Sequence, residues 1–185
     1  SANIKIGFGE LLEKHGRDRA LEVYGEGKHA REGLKAFIKE EEIDCDYQSV
    51  GRFIGAYRPT HFDAQRREAD LLNEHLDVGA EIVEPANIHT EIGSDHYYGG
   101  MVRPDLSGLH PAKFVAGLLQ KVSDAGVTIH GETAVLNVSK ETIGSEILTT
   151  RGSVKAKEVI VATNGYSDAS DPWLRRRLVP VASRI

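Results

Sequence analysis

The sequence predicts a mixed α/β fold (α+β in detail): a parallel sheet carrying a β-meander insert, preceded by helices and further short strands. Three observations carry this. The stretch GLHPAKFVAGLLQKVSDAG reads as one amphipathic helix, because Phe114, Val115, Leu118, Leu119 and Val122 recur at helical spacing. Two β-branched runs, VTIH at 127–130 and VIVA at 159–162, have the short apolar character of strands buried on both faces of a parallel sheet. Between them lie alternating segments at 133–139, 146–150 and 153–157, spaced as a meander. Strand, meander and strand read as half of a nucleotide-binding sheet, with 127–130 and 159–162 expected in the same sheet.

Taken in order, residues 1–45 are helical in pattern. Ile6, Phe8, Leu11 and Leu12 make a short apolar face that breaks at His15-Gly16. Asp18 is placed to cap a second helix, whose stripe is Ala20, Leu21, Val23, Tyr24, Ala30, Leu34, Phe37 and Ile38. Gly25, Gly27 and Gly33 each weaken that helix by roughly 1 kcal/mol against alanine, so tertiary packing must hold it. Residues 46–58 read as a strand stopped by Pro59, 61–78 as an amphipathic helix ended by Gly79, and 81–84 as a short strand. A turn with a helical stub follows at 85–93, then a strand at 95–103 and a Pro/Asp/Ser/Gly loop that hands the chain to Pro111, a residue suited to the first helical position. Gly126 closes that helix.

The quoted motifs, GLHPAKFVAGLLQKVSDAGVTIH, ETAVLNV, VIVATNGYS and PWLRRRLVPVAS, resemble in order and spacing the middle of a flavin-dependent amine or amino-acid oxidase of the D-amino-acid oxidase superfamily. The nearest resemblance is to the group with γ-glutamylputrescine and glycine-type oxidoreductases. It covers the chain from about residue 100 to the end, and the earlier third fits more loosely. It implies FAD as cofactor and a small-molecule amine or amino acid as substrate, oxidised by hydride transfer from the carbon bearing nitrogen.

The resemblance also assigns the parts. Residues 1–45 become a helical segment, 46–107 part of the substrate-binding domain with its antiparallel substrate-side sheet and helices, 108–167 part of an FAD-binding Rossmann-like sheet with the meander insert, and 168–185 a return to the substrate-side sheet, all interleaved. Backbone groups in ETAVLNV, at Ala134 and Val135, are expected against the adenine, and the turn Ala162, Thr163, Asn164 and Gly165 against the flavin. Asn164 has the competing role of capping that turn locally. The resemblance further implies an internal fragment whose G-x-G-x-x-G unit lies upstream, inactive by itself. Ile4-Lys5-Ile6-Gly7-Phe8-Gly9 imitates such a unit but fails it. The apolar run ahead is too short, Leu12 stands where a third small residue belongs, and no acidic residue ends a second strand at the usual distance.

Composition narrows the classes. A net charge of −5 argues against a nucleic-acid partner, which requires a basic face. Arg175, Arg176 and Arg177 are the exception and read as a solvated strand or loop start, with a phosphate or carboxylate contact as the other reading. One cysteine, Cys45, excludes an internal disulfide. No apolar run approaches the ~20 residues of a membrane span, which makes a cytoplasmic protein the expectation. The eight histidines show no metal-binding spacing, and surface or capping roles are expected for them. The competing functions are a non-catalytic binding or scaffold module reusing the half-sheet, and an FAD-linked hydroxy-acid dehydrogenase.

Overall fold

In the computed structural model, which describes residues 4–166 and 171–179, the chain divides after Val127 into two units. The first unit begins with α1 (Phe8–His15) and α2 (Arg17–Glu40), separated by Gly16 at φ 78. Gly16, not Asp18, is the N-cap of α2, and Asp18 sits in its first turn. The expected stripe is only partly covered: Ala20 and Ile38 are buried, whereas Phe37 is 39% exposed. A Cβ at Gly25 or Gly33 would meet open space, as befits a helix on the rim.

The dinucleotide look-alike has a structural use. The backbone N–H groups of Phe8 and Gly9, at the start of α1, donate to the Glu68 carboxylate at 2.5 and 3.0 Å. A helix N-terminus attracts an anion; here the anion is a side chain of the same chain. Small residues are needed because a Cβ at Gly7 would come within 3.3 Å of Glu68 Oε1, and one at Gly9 within 3.1 Å of Leu71.

The sheet of this unit has the order β1-β3-β2, all antiparallel, from β1 (Arg52–Gly55), β2 (Glu81–Val83) and β3 (Gly100–Arg103). The strands are shorter than the patterning at 46–58 and 95–103 suggests. Gly51 at φ 75 and Gly99 at φ 86 turn the chain out of the extended region at the two ends of the β1–β3 pair. Beyond β1 the pairing survives only as Ala56 N–H to Gly99 O and Tyr98 N–H to Ala56 O. Pro59 does more than stop a strand, for it opens α3 (Pro59–Leu76). Asp77, left-handed at φ 48, ends α3 ahead of Gly79. Asn73 fixes the exit by bonding both backbone groups of Ala80, at 2.8 and 2.7 Å. The main core joins Phe8, Leu11, Ala20, Ala69, Leu72, Ala80 and Met101, and a smaller cluster joins Ile38, Ile43 and Cys45.

A 3-10 turn (Pro85–Thr90) precedes β3, and α4 (Pro111–Asp124) follows it. His110 caps α4, its Nδ1 accepting from the Lys113 N–H at 3.3 Å. Gly126 at φ 80 stops it: the Gly126 N–H reaches Ser123 O and the Val127 N–H reaches Val122 O, the paired bonds of a Schellman motif.

The second unit holds a meander, β4 (Val135–Lys140), β5 (Ser145–Thr149) and β6 (Gly152–Ala156), antiparallel in the order β4-β5-β6. The register shifts between Val135 and Asn137, making Leu136 a bulge. The expected parallel strands at 127–130 and 159–162 are not strands here. A strand exists only through its neighbours, and neither segment pairs with one among the described residues. Val127 instead completes the helix stop, and Ile160 is 91% exposed. Of the segment 168–185, residues 168–170 and 180–185 lie outside the described residues. Among the described residues no helix is long and apolar enough to cross a membrane.

Candidate functional site

A cleft of about 910 Å³ lies within the second unit, between β4 and the extended segment 157–163. Among the described residues β4 is an edge strand, so one side of its backbone has no strand partner there. Val135 and Val138 line the cleft from β4, and Val159 and Val161 line it from the facing segment. The short helix α5 (Pro172–Arg175) adds Trp173. That helix is set by Asp171, whose Oδ1 accepts from the Trp173 and Leu174 N–H groups at 3.1 and 2.9 Å.

The arginine run is neither a strand nor a loop start: it closes α5. Arg176 Nε donates to Pro172 O at 3.1 Å, and the Arg177 guanidinium lies 4.1 Å from the Trp173 ring centroid while donating to Trp173 O. Cations at a helix C-terminus satisfy its free carbonyls. Arg176 also lines the cleft, with Lys140 and Lys157 as further cations and Glu158 and Asp171 as acids. Lys157 and Lys140 carried no signal in the sequence, because nothing local distinguishes a strand-end lysine facing a cleft from a solvated one.

Three of the six residues expected at the cofactor, Val135, Ala162 and Thr163, line this cleft together. Ala134 does not: its N–H donates to Thr150 Oγ1 at 3.2 Å and its carbonyl accepts from the Thr150 N–H at 2.9 Å, so both groups hold the end of the meander. Asn164 and Gly165 form a tight turn closed by the Tyr166 N–H on Thr163 O at 3.0 Å, with Asn164 left-handed at φ 54. Asparagine is among the few side chains that tolerate this region.

A meander with an open edge beside a small-residue turn, on a chain that also carries a helix-backed antiparallel sheet, places the protein in the mixed α/β class. Within it, the chain matches the model of the DAO family, FAD dependent oxidoreductase, over residues 7–185 and belongs to that family. It is 26% identical over 178 residues to the gamma-glutamylputrescine oxidoreductase of Escherichia coli, covering 95% of this chain and 41% of that protein. It is 23% identical over 176 residues to the probable oxidoreductase OrdL of Rhizobium meliloti, again 95% and 41%. The chain thus spans about two-fifths of the curated relatives it matches. Its fold resembles that of glycine oxidase from Geobacillus kaustophilus, with a TM-score of 0.67 at 18% identity over 76% of this chain and 39% of that one. L-proline dehydrogenase from P. horikoshii gives 0.59 at 17% identity, over 75% and 37%.

Proposed function

We propose that the chain serves as part of an FAD-dependent enzyme that oxidises the carbon–nitrogen bond of an amine or amino acid, and that its second unit contributes to the cofactor site. The observation that carries this is the cleft in which the open edge of β4 at Val135 faces Ala162 and Thr163. The residues fit a dinucleotide there. A base edge needs one backbone donor and one acceptor, which a strand edge supplies without regard to side chain. Ala162 is small enough for a cofactor ring to approach the backbone, and the Asn164 turn carries the chain away from it. Val138, Val159, Val161 and Trp173 give the same space an apolar lining. When bound, FAD would supply the two-electron acceptor. Ala134 takes a positioning role, holding β4 to Thr150.

The amine class is supported by the names of one relative and two structural neighbours, gamma-glutamylputrescine oxidoreductase, glycine oxidase and L-proline dehydrogenase, each named for a nitrogen-bearing compound. This support favours an amine over a hydroxy acid, and an enzyme over a scaffold. On this reading the present chain alone does not turn over. The test is anaerobic mixing of the flavin-loaded enzyme that contains this chain with amines, amino acids and hydroxy acids in turn. Bleaching of the flavin absorbance by an amine is the expected result; bleaching by hydroxy acids only, or by nothing in the panel, overturns it.

A further inference from the structure

A concavity of about 410 Å³ lies in the first unit and shares no lining residue with the cleft of the second. Its volume lies within the roughly 300–1,000 Å³ typical of small-molecule pockets. Leu34, Leu106, Leu109 and Phe114 form its apolar wall, and its charged residues are Arg31 and Arg52. No carboxylate belongs to the lining among the described residues.

The wall is held by the core, since Leu34, Leu109 and Phe114 pack against the Ile38, Ile43 and Cys45 cluster. Backbone bonds hold the segments that carry it. Gln48 and Gly108 exchange two hydrogen bonds of 2.9 Å, and the Gly51 N–H donates to Leu106 O at 3.0 Å. The Tyr47 hydroxyl donates to Ser107 Oγ at 2.9 Å, which leaves the Ser107 hydroxyl proton free to be donated.

The charges are out of balance. Arg31 Nη2 lies 3.1 Å from Asp105 Oδ2, but Asp105 also takes two bonds from Arg103, at 2.7 and 2.8 Å. One carboxylate between two guanidiniums leaves a positive charge over. Arg52 adds another and has no ion-pair partner among the described residues. On a chain of net charge −5, this is a local concentration of uncompensated cation.

We propose that this cleft binds a small amphipathic monoanion, its carboxylate held by Arg31 and Arg52 and its aliphatic or aromatic body lying on the leucine and phenylalanine wall. Guanidinium forks match carboxylate geometry. A bare phosphate leaves the apolar wall wet, and a neutral apolar molecule desolvates the guanidiniums without pairing them. The assignment is independent of flavin.

Phenylacetate is a suitable probe, with phenylacetamide and inorganic phosphate as controls, titrated into the isotope-labelled chain while backbone amide shifts are followed. The expected result is saturable shifting centred on Leu106, Ser107 and Leu109 for phenylacetate. Phenylacetamide and phosphate should bind at least about tenfold more weakly, as loss of a charged hydrogen bond or of the apolar contact requires. Arg52→Gln, an exposed position whose loss should leave the thermal melt unchanged, should weaken phenylacetate by a similar factor. Shifts elsewhere, equal binding of the three probes, or an unaltered affinity in R52Q would each overturn the proposal.

Discussion

At the scale of the residue, Glu68 and Tyr24 show how a local feature gains its meaning from distant partners. Glu68 neutralises the positive end of α1 from 60 residues away. Replacing it with alanine removes an N-terminal acceptor, and such caps contribute about 0.5–2 kcal/mol; Glu68→Ala should lower the urea midpoint correspondingly without changing the slope. Tyr24 packs edge-on against Phe8 at 5.1 Å, and burial first, then the nearby Glu68 charge, pushes its hydroxyl up from 10.0 to about 12. Its folded value therefore lies above its unfolded one, so the stability it contributes is fully present below pH 10 and is lost as the pH climbs towards about 12. Urea midpoints measured across that interval should fall in the parent chain and fall less in Tyr24→Phe, which has no proton to lose there. Parallel slopes for the two would remove Tyr24 from the account.

At the scale of the element, glycines separate what sequence patterning reveals from what it hides. A Cβ on Gly100 would run into the Phe53 ring and come within 2.7 Å of Ile54 O, whereas one on Gly33, on the open side of α2, would meet nothing within 4 Å. Gly100→Ala should cost about 1–3 kcal/mol by overpacking, and Gly33→Ala should add about 0.5–1 kcal/mol through helix propensity; thermal melts of the two should move in opposite directions. Gly33 stands among Arg31, Glu32, Leu34 and Lys35, and Gly100 between Gly99 and Met101, but neither neighbourhood tells what a Cβ would meet across the fold. Elements encoded locally were legible. α4 announced itself through Pro111, its apolar spacing and Gly126, and the meander through its alternation and turn residues. The misjudged elements depend on distant partners. Residues 127–130 and 159–162 have strand-like letters but no paired neighbour among the described residues, and Asp18 lost the cap because Gly16 already supplied the break. The candidate cleft was half legible for the same reason. Val135, Ala162 and Thr163, which the motif groups, line it together, while the bonding of Ala134 to Thr150 becomes visible only when the bulge at Leu136 sets the register.

At the scale of the whole molecule, the chain keeps its best-covered core in the first unit and much exposed apolar surface in the second, where Val135, Val159 and Val161 are 38, 38 and 48% exposed around the proposed cofactor cleft. Apolar groups left in water oppose folding unless something covers them, and a dinucleotide bound as proposed would cover these particular ones. That gives the cofactor reading a consequence that does not depend on turnover. Trp173 is the single tryptophan of these 185 residues and lines the cleft, so the difference in emission between the enzyme and its Trp173→Phe variant reports on that space. In the flavin enzyme containing this chain, stripping FAD should raise Trp173 emission and expose the cleft to amide hydrogen exchange at Val135 and Val138, and adding FAD back should reverse both saturably. Ala162→Leu, which puts a branched side chain where the cofactor is placed, should weaken FAD retention by tenfold or more, on the order of 1.4 kcal/mol, while leaving the exchange pattern of the first-unit sheet unchanged. Should Trp173 emission and Val135 exchange ignore FAD, the adenine and flavin contacts assigned to this cleft are wrong even if the enzyme oxidises amines.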